Sequence, residues 1–316
     1  MEDFTNNLKT KLKDKGLSEN SIKLYLRNLE KLNDNKKIDN FKFLKDTKKI
    51  VDQINKYKDN TKRSIFISIV SVLKCCPEDK KLKKLHDEYY NMMINKSDEI
   101  KNKATDEATE EQKENWIKWD EVKAKFDELE KEVDALKDNK KISESEYNKL
   151  LSYMILGLYV HNQPRRNKDY QLMNVVKKYN DKYENDINYL SYDENKFVFN
   201  NYKTAKKFGR QVIDYNDDLK KVIDLYLKFH PKILGKKLTR NTNEHFLVNY
   251  KGEPLSQVNS ITKILNKIFG KRLGSSALRH IFLSDKYKDV VSEMKDDADK
   301  MGHSTQTQRE YIKNVV

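Results

Sequence analysis

Glycine and proline are scarce in this 316-residue chain, eight and four in all. Little therefore interrupts a helix, and long helices should dominate. Cysteine is scarcer: Cys75 and Cys76 are the whole supply and are adjacent, too few for a disulfide framework or a cysteine-rich zinc site, so a reducing compartment is expected. Long apolar runs are missing too. The longest, "MILGLYV" at 154–160, is far short of the ~20 residues that span a bilayer. The N-terminus is acidic and helical rather than signal-like. These absences point to a soluble intracellular protein with no membrane partner; no metal and no cofactor are expected. Acidic residues are outnumbered, 50 against 64 basic ones, giving a net charge of +14. Such an excess favours a polyanion, and binding should weaken steeply with salt as condensed counterions are released. The middle of the chain departs from this: residues 101–150 hold eleven lysines and fifteen acidic side chains, net −4, and make a poor contact for DNA.

The length allows two domains, each with a sizeable core. Residues 1–77 read as a helical domain. Ser18 can cap a helix carrying Ile22, Tyr25, Leu26, Leu29 and Leu32 at helical spacing. A second helix runs from Thr61 to Leu73, with Pro77 ending the block. Lys62 and Arg63 stand in its first turn, where the helix dipole disfavours cations; a bound phosphate would answer that, as would simple solvation. Residues 78–140 read as a charged helical connector. Its stripe Trp119, Val122, Phe126, Leu129, Val133, Leu136 is too short for an independent coiled coil and should pack on one of the domains. No internal repeat is evident. From 141 a second domain begins: a buried helix from Glu146 to Val160, then three short antiparallel strands in "DINYLSY", "KFVFN" and "RQVIDYN", with the loop "NYKTAKKFG" joining the last two. Helices resume at 217–229, at 256–269 with Ser256 as cap and Gly270 as stop, and on to the C-terminus. The expected class is mainly α with a small three-stranded antiparallel sheet.

Five residues of the second domain suit phosphoryl transfer to tyrosine. Arg166 in "PRRNKD" and Arg279 in "SALRH" can hold non-bridging phosphate oxygens as bidentate forks. Lys203 in "YKTAKK" can protonate a leaving oxygen. His303 in "MGHS" adds a hydrogen bond, and Tyr311, eight residues on, can act as nucleophile. Each has an ordinary alternative: Tyr311 as a terminal-helix packing residue, His303 as a satisfied polar side chain. Arg279 follows an apolar pair on a helix, where burial without an anion is costly. Arg165 is adjacent to Arg166 and is a further phosphate contact; Lys206 and Lys207 share the loop with Lys203 and, like Lys62 and Arg63, are candidate DNA contacts.

The order and spacing of these blocks resemble the catalytic domain of the tyrosine recombinase, or phage integrase, superfamily over about 150–316. "ALRH" followed by "MGHS", "TQ" and the tyrosine carries most of the likeness. "GLSENSIKLYLRNLEKL" is similar to the helical core-binding domain that precedes the catalytic domain in that family, and "PRRNKDY" and "ENWIKW" resemble integrase-like proteins of large DNA viruses of eukaryotes. The family places an acidic residue three after its first arginine; Asp169 stands three after Arg166, which selects Arg166 over Arg165. One position departs: Ser276 stands where the family has His or Lys three residues before the second arginine. A serine hydroxyl is a poor proton acceptor, so water, His303 or His280 would have to take the proton from Tyr311. The stretch after Tyr311 is also shorter than the helix many recombinases pass to a neighbour. The resemblance implies a core-binding domain (1–77), a connector (78–140) and a catalytic domain (141–316). It implies a site-specific recombinase that forms a 3′-phosphotyrosine on double-stranded DNA, acts as a homotetramer on two sites, and integrates or excises mobile or viral DNA in the cytoplasm or nucleus of a host cell, with packaging in a virion as a further location. A type IB topoisomerase and a catalytically inactive DNA-binding protein are the alternatives.

Overall fold

The computed structural model describes residues 4–75, 79–103 and 109–313. The chain divides into two compact units, 1–108 and 109–316. The charged stretch 78–140, read as a separate connector, is thus shared between them.

The first unit is helical: α1 (Phe4–Asp14), α2 (Glu19–Leu32), a 3₁₀ turn (Lys42–Lys45), α3 (Thr47–Ile54), α4 (Asp59–Leu73) and α5 (Lys80–Lys103). Ser18 caps α2 by accepting from the Ser21 N–H. The apolar stripe of α2 faces α4 across a core that includes Leu26, Leu29, Ile65 and Ile69. A buried Asn28–Ser68 hydrogen bond of 2.9 Å crosses that core. The start of α5 joins it through Leu85 and Tyr89, whose hydroxyl donates to the Leu44 carbonyl at 2.8 Å. α4 begins at Asp59, two residues before the expected start, and this supplies the missing anion: Asp59 lies in the first turn, 3.7 Å from Lys62. Pro77, expected to end the block, lies outside the described residues.

The second unit contains α6 (Glu110–Glu114), α7 (Trp119–Asp134), a 3₁₀ turn (Ala135–Asp138), α8 (Glu144–Val160), α9 (Asn167–Gln171), β1 (Asn174–Val176), β2 (Tyr189–Ser191), β3 (Lys196–Phe199), α10 (Ala205–Phe208), β4 (Gln211–Asp214), α11 (Asp217–Lys228), β5 (Asn243–His245), α12 (Ser260–Phe269), α13 (Ser275–Met301) and α14 (Thr305–Tyr311). The stripe Trp119 to Leu136 is buried in this unit's core, with Phe126 stacked on Tyr153 of α8 at 4.8 Å. α8 starts two residues early because Ser143 and Glu146 form a capping box. It is buried nearly all round, and Gly157 allows close approach: a β-carbon there would meet Val222 at 3.1 Å and Phe126 at 3.3 Å.

The sheet corrects the expectation of three antiparallel strands. It has five, in the order β4-β3-β2-β1-β5, and is mixed: β1 pairs parallel with β2 while the other pairs are antiparallel. β2, β3 and β4 fall in the three segments read as strands. β1 is only three residues long and β5 reads Asn-Glu-His, so neither carries an alternating apolar signal; both exist because long-range pairing satisfies their backbones. Side chains alternate across the sheet, Val175, Leu190 and Phe197 into the main core, Val176, Tyr189 and Val198 into a smaller cluster opposite. α12 also begins later than expected, at Ser260 after Asn259, and Ser256 is not its cap; Gly270 ends it in the left-handed conformation at φ 63°.

Candidate phosphate-binding site

α8 ends at Val160 and the chain turns through buried Pro164 into α9. Asn167, the first residue of α9, fixes this corner. Its side chain accepts from the Tyr159 hydroxyl at 2.6 Å and donates to Thr262 of α12 at 2.8 Å. Its backbone N–H donates to the Ser275 hydroxyl at 3.2 Å, at the first turn of α13. That junction puts the residues just before α9 beside the first turns of α13. Arg165, Arg166, Asp169 and Arg279 consequently line one cavity of about 550 Å³, floored by Tyr170 and Phe199 and edged by Gln211, Asp214 and Thr204.

The three arginines differ in how they are held. Arg165 donates from Nε to Asp169 at 3.0 Å and from Nη1 to Gln211 at 2.9 Å, and its guanidinium lies 3.8 Å over the Phe199 ring. Arg166 and Arg279 are partly buried, and their guanidiniums make no hydrogen bond or ion pair with any described residue. Asp169 is 2% exposed, with Oδ2 on Arg165 and Oδ1 without a partner. Burial pushes its carboxyl above the ordinary range, against the opposing pull of Arg165, Arg166 and Arg279. The sequence-selected pairing of Arg166 with Asp169 is therefore electrostatic here, while Arg165 makes the direct bond. A cavity with two unpartnered guanidiniums is chemically an anion site: it can hold the non-bridging oxygens of a phosphodiester bidentately.

The remaining sequence candidates lie elsewhere. Lys203 is exposed and does not line the cavity, although its neighbours Tyr202 and Thr204 do. The Tyr202 hydroxyl donates to the Gly209 carbonyl at 2.7 Å, folding the loop that carries Lys203, Lys206 and Lys207 back toward β4. Lys207 sits 5.1 Å from the exposed Phe208 ring. Ser276 and His280 are exposed and outside the cavity; the buried hydroxyl is that of Ser275. In the first unit, Arg63 donates from Nε to Ser97 at 2.9 Å and Lys62 faces Asp59, which also binds Lys96 at 2.8 Å. The hydrogen bond from Lys96 holds the Asp59 carboxyl below the ordinary range.

His303 and Tyr311 form a pair of their own. Gly302 closes α13 at φ 70°, and the His303 N–H donates back to the Ala298 carbonyl at 3.0 Å. Ser304 caps α14 through the Thr307 N–H at 3.1 Å. The seven residues of α14, about two turns, then bring the Tyr311 ring to 5.5 Å from the His303 ring, edge to face. His303 Nε2 is buried without a hydrogen-bond partner, and Tyr311 is 65% exposed. These two groups do not meet the arginines. α13 is one helix from Ser275 to Met301 with no glycine or proline inside it. At 1.5 Å per residue the 22 steps from Arg279 to Met301 span about 33 Å.

Asn167, Thr262, Ser275 and Gln211, which assemble the arginine cavity, carry no sequence signal, since each acts on a partner tens of residues away. Among the described residues no group of three or more His, Cys, Asp and Glu side chains is placed to hold a metal, and no helix is long and apolar enough to cross a membrane. Comparison of the chain with protein-family models, curated proteins and solved structures gives no match.

Proposed function

We propose that the protein is a site-specific DNA recombinase that cleaves and rejoins strands through a covalent tyrosine–DNA linkage, integrating or excising a mobile or viral DNA. The observation that carries this reading is the cavity in which Arg166 and Arg279, from segments more than a hundred residues apart, offer two guanidiniums with no hydrogen-bond or ion-pair partner among the described residues. The phenol oxygen of Tyr311 attacks phosphorus, the bond to the 5′-oxygen breaks, and a 3′-phosphotyrosine forms. Lys203 gives the leaving oxygen its proton. A second strand's 5′-hydroxyl then reverses the step. Arg166 and Arg279 stabilise charge on the pentavalent phosphorus. His303, beside Tyr311, hydrogen-bonds the phosphate or takes the phenolic proton. By the resemblance, four copies act on two double-stranded DNA sites.

The test is a denaturing trap of protein on DNA. Wild-type chain incubated with plasmid should yield an adduct whose linkage maps to Tyr311; an adduct on another tyrosine, or none, overturns the assignment. A second reading, a DNA-binding protein without cleavage, is favoured by the separation of Tyr311 from the arginines within one copy. The same separation weighs against a type IB topoisomerase, whose chemistry needs every group in a single copy.

A further inference from the structure

The base of α13 is anchored: Leu278 and Ile281 are buried, and Phe282 meets Trp119 edge to face at 5.1 Å. Beyond it, residues 283–293 are exposed without exception. Yet this exposed rod is amphipathic. Leu283, Tyr287, Val290 and Val291, all between 44% and 54% exposed, recur at i, i+4, i+7 and i+8, and Met294 extends the row. These spacings put them on one helical face, and the face continues through Ser276, Arg279 and His280 at one end and Met301 at the other. Four large apolar side chains on a solvent-facing helix call for a partner.

We propose that this face pairs, antiparallel, with α13 of a second copy, and that each copy thereby delivers its His303 and Tyr311 to the arginine cavity of the other. The inference rests on the recombinase reading. A two-fold axis at Val290, the middle of the row, sets Arg279 opposite Met301 of the second copy and Ser276 opposite its Ser304. The helix length that parts tyrosine from arginine within one copy is then the length that joins them between two. A groove of about 220 Å³, lined by Gln163, Pro164, Arg279, Leu283 and Tyr287, lies at the receiving end. Charge agrees with this direction. Residues 279–289 carry Arg279, Lys286 and Lys288 against Asp285 and Asp289, while residues 291–301 carry Glu293, Asp296, Asp297 and Asp299 against Lys295 and Lys300. Antiparallel pairing sets the basic half on the acidic half and brings Lys286, at the flank of the row, beside Glu293 of the second copy; parallel pairing sets like on like. The contact is isologous and closes as a dimer.

Two experiments on the full chain test this separately from the chemistry. In Val290→Cys the two thiols meet on the axis, so mild oxidation should give a disulfide-linked dimer that the parent chain, with only its native cysteines, does not form. Leu283→Cys should not couple to itself, because its opposite residue is Asp297, whereas Leu283→Cys with Asp297→Cys should couple. A monomeric Val290→Cys, or self-coupling of Leu283→Cys, overturns the pairing. For the exchange, Tyr311→Phe and Arg166→Ala chains of different size are incubated with supercoiled plasmid, alone and mixed. Tyr311→Phe alone should trap no adduct and Arg166→Ala alone at most a trace. The mixture should recover roughly a quarter of the wild-type yield, since about half the dimers are mixed and each holds one complete site, with the DNA on the Arg166→Ala chain. If wild type forms adduct and the mixture does not, α13 returns Tyr311 to its own cavity and the exchange is wrong while strand cleavage stands. If wild type forms none but Val290→Cys couples, strand cleavage fails, the exchange fails with it, and the pairing alone survives.

Discussion

The arginine cavity and the His303–Tyr311 pair belong to one compact unit, yet they are held by different kinds of force. The cavity is fixed by contacts between distant segments: Asn167 with Thr262 and Ser275, Arg165 with Gln211, Asn188 with the Asp169 carbonyl at 2.8 Å. The histidine and tyrosine are fixed by contacts within about a dozen residues, from the Gly302 turn and the Ser304 cap to one ring contact. A phosphate site must be rigid to stabilise developing charge without reorganising. A nucleophile on a short, exposed helix can instead be delivered. Under the proposed function, the contrast makes holding the phosphate and presenting the tyrosine separable tasks, and substitutions should separate them.

The largest effect expected is that of Tyr311→Phe: complete loss of covalent adduct on plasmid, with duplex affinity within a few-fold of wild type because phosphate contacts dominate binding. With the side chain 65% exposed, the thermal midpoint should not move; a fall would show the tyrosine to be a packing residue. Next is Arg165→Ala. It leaves Asp169 buried without its direct partner, so urea unfolding should show a loss of about 3–5 kcal/mol. An unchanged midpoint would break the distinction drawn between Arg165 and its neighbour. Arg166→Ala should do the reverse, lowering the cleavage rate by about 10²–10³ while stability stays near wild type, because its guanidinium bonds to no described residue.

A smaller effect concerns acid. The Asp169 carboxyl is raised in the fold, so the folded chain holds that proton more readily than the unfolded one. Its contribution to stability is therefore greatest below the ordinary carboxylate range and is lost as pH rises through its folded value. Stability of wild type relative to Asp169→Asn, followed by unfolding from acid to neutral pH, should decline across that interval; an increase would mean that ion pairing with the arginines outweighs burial. The smallest effect separates the two units. Lys203→Ala should reduce the log–log salt slope of DNA binding by about 0.9, one phosphate contact, whereas Lys62→Ala should reduce it less, because Lys62 already faces Asp59. Equal changes would put α4 on the DNA as fully as the loop between β3 and β4.

Local features were legible. Ser18 as a cap, the stripe of α2, Gly270 as a helix stop and the segments of β2, β3 and β4 all follow from signals within a few residues. β1 and β5 were not, since three residues of strand need neighbours to exist. Of the site, the residue types and their order could be read, but not the roles of adjacent residues. Arg165 and Arg166, or Ser275 and Ser276, are equivalent in sequence and differ only in which way the backbone points them. The stripe from Leu283 to Met294 has helical spacing in the sequence, but spacing alone does not say that its face is left exposed rather than buried in the unit's own core.

By itself the sequence determined that the chain is mostly helix and that it is basic. These follow from composition and short-range periodicity, which act through the chain's own backbone; the order of the two arginines, the lysine, the histidine and the tyrosine was legible only as a resemblance. Only the tertiary structure decided that Arg165 is tied to Asp169 while the guanidiniums of Arg166 and Arg279 have no hydrogen-bond or ion-pair partner among the described residues, and that an unbroken α13 keeps Tyr311 away from both. The first depends on a junction between residues 167 and 275, the second on helix continuity against the pull of an exposed apolar face. Both are settled by which distant surfaces meet, and no local propensity encodes that.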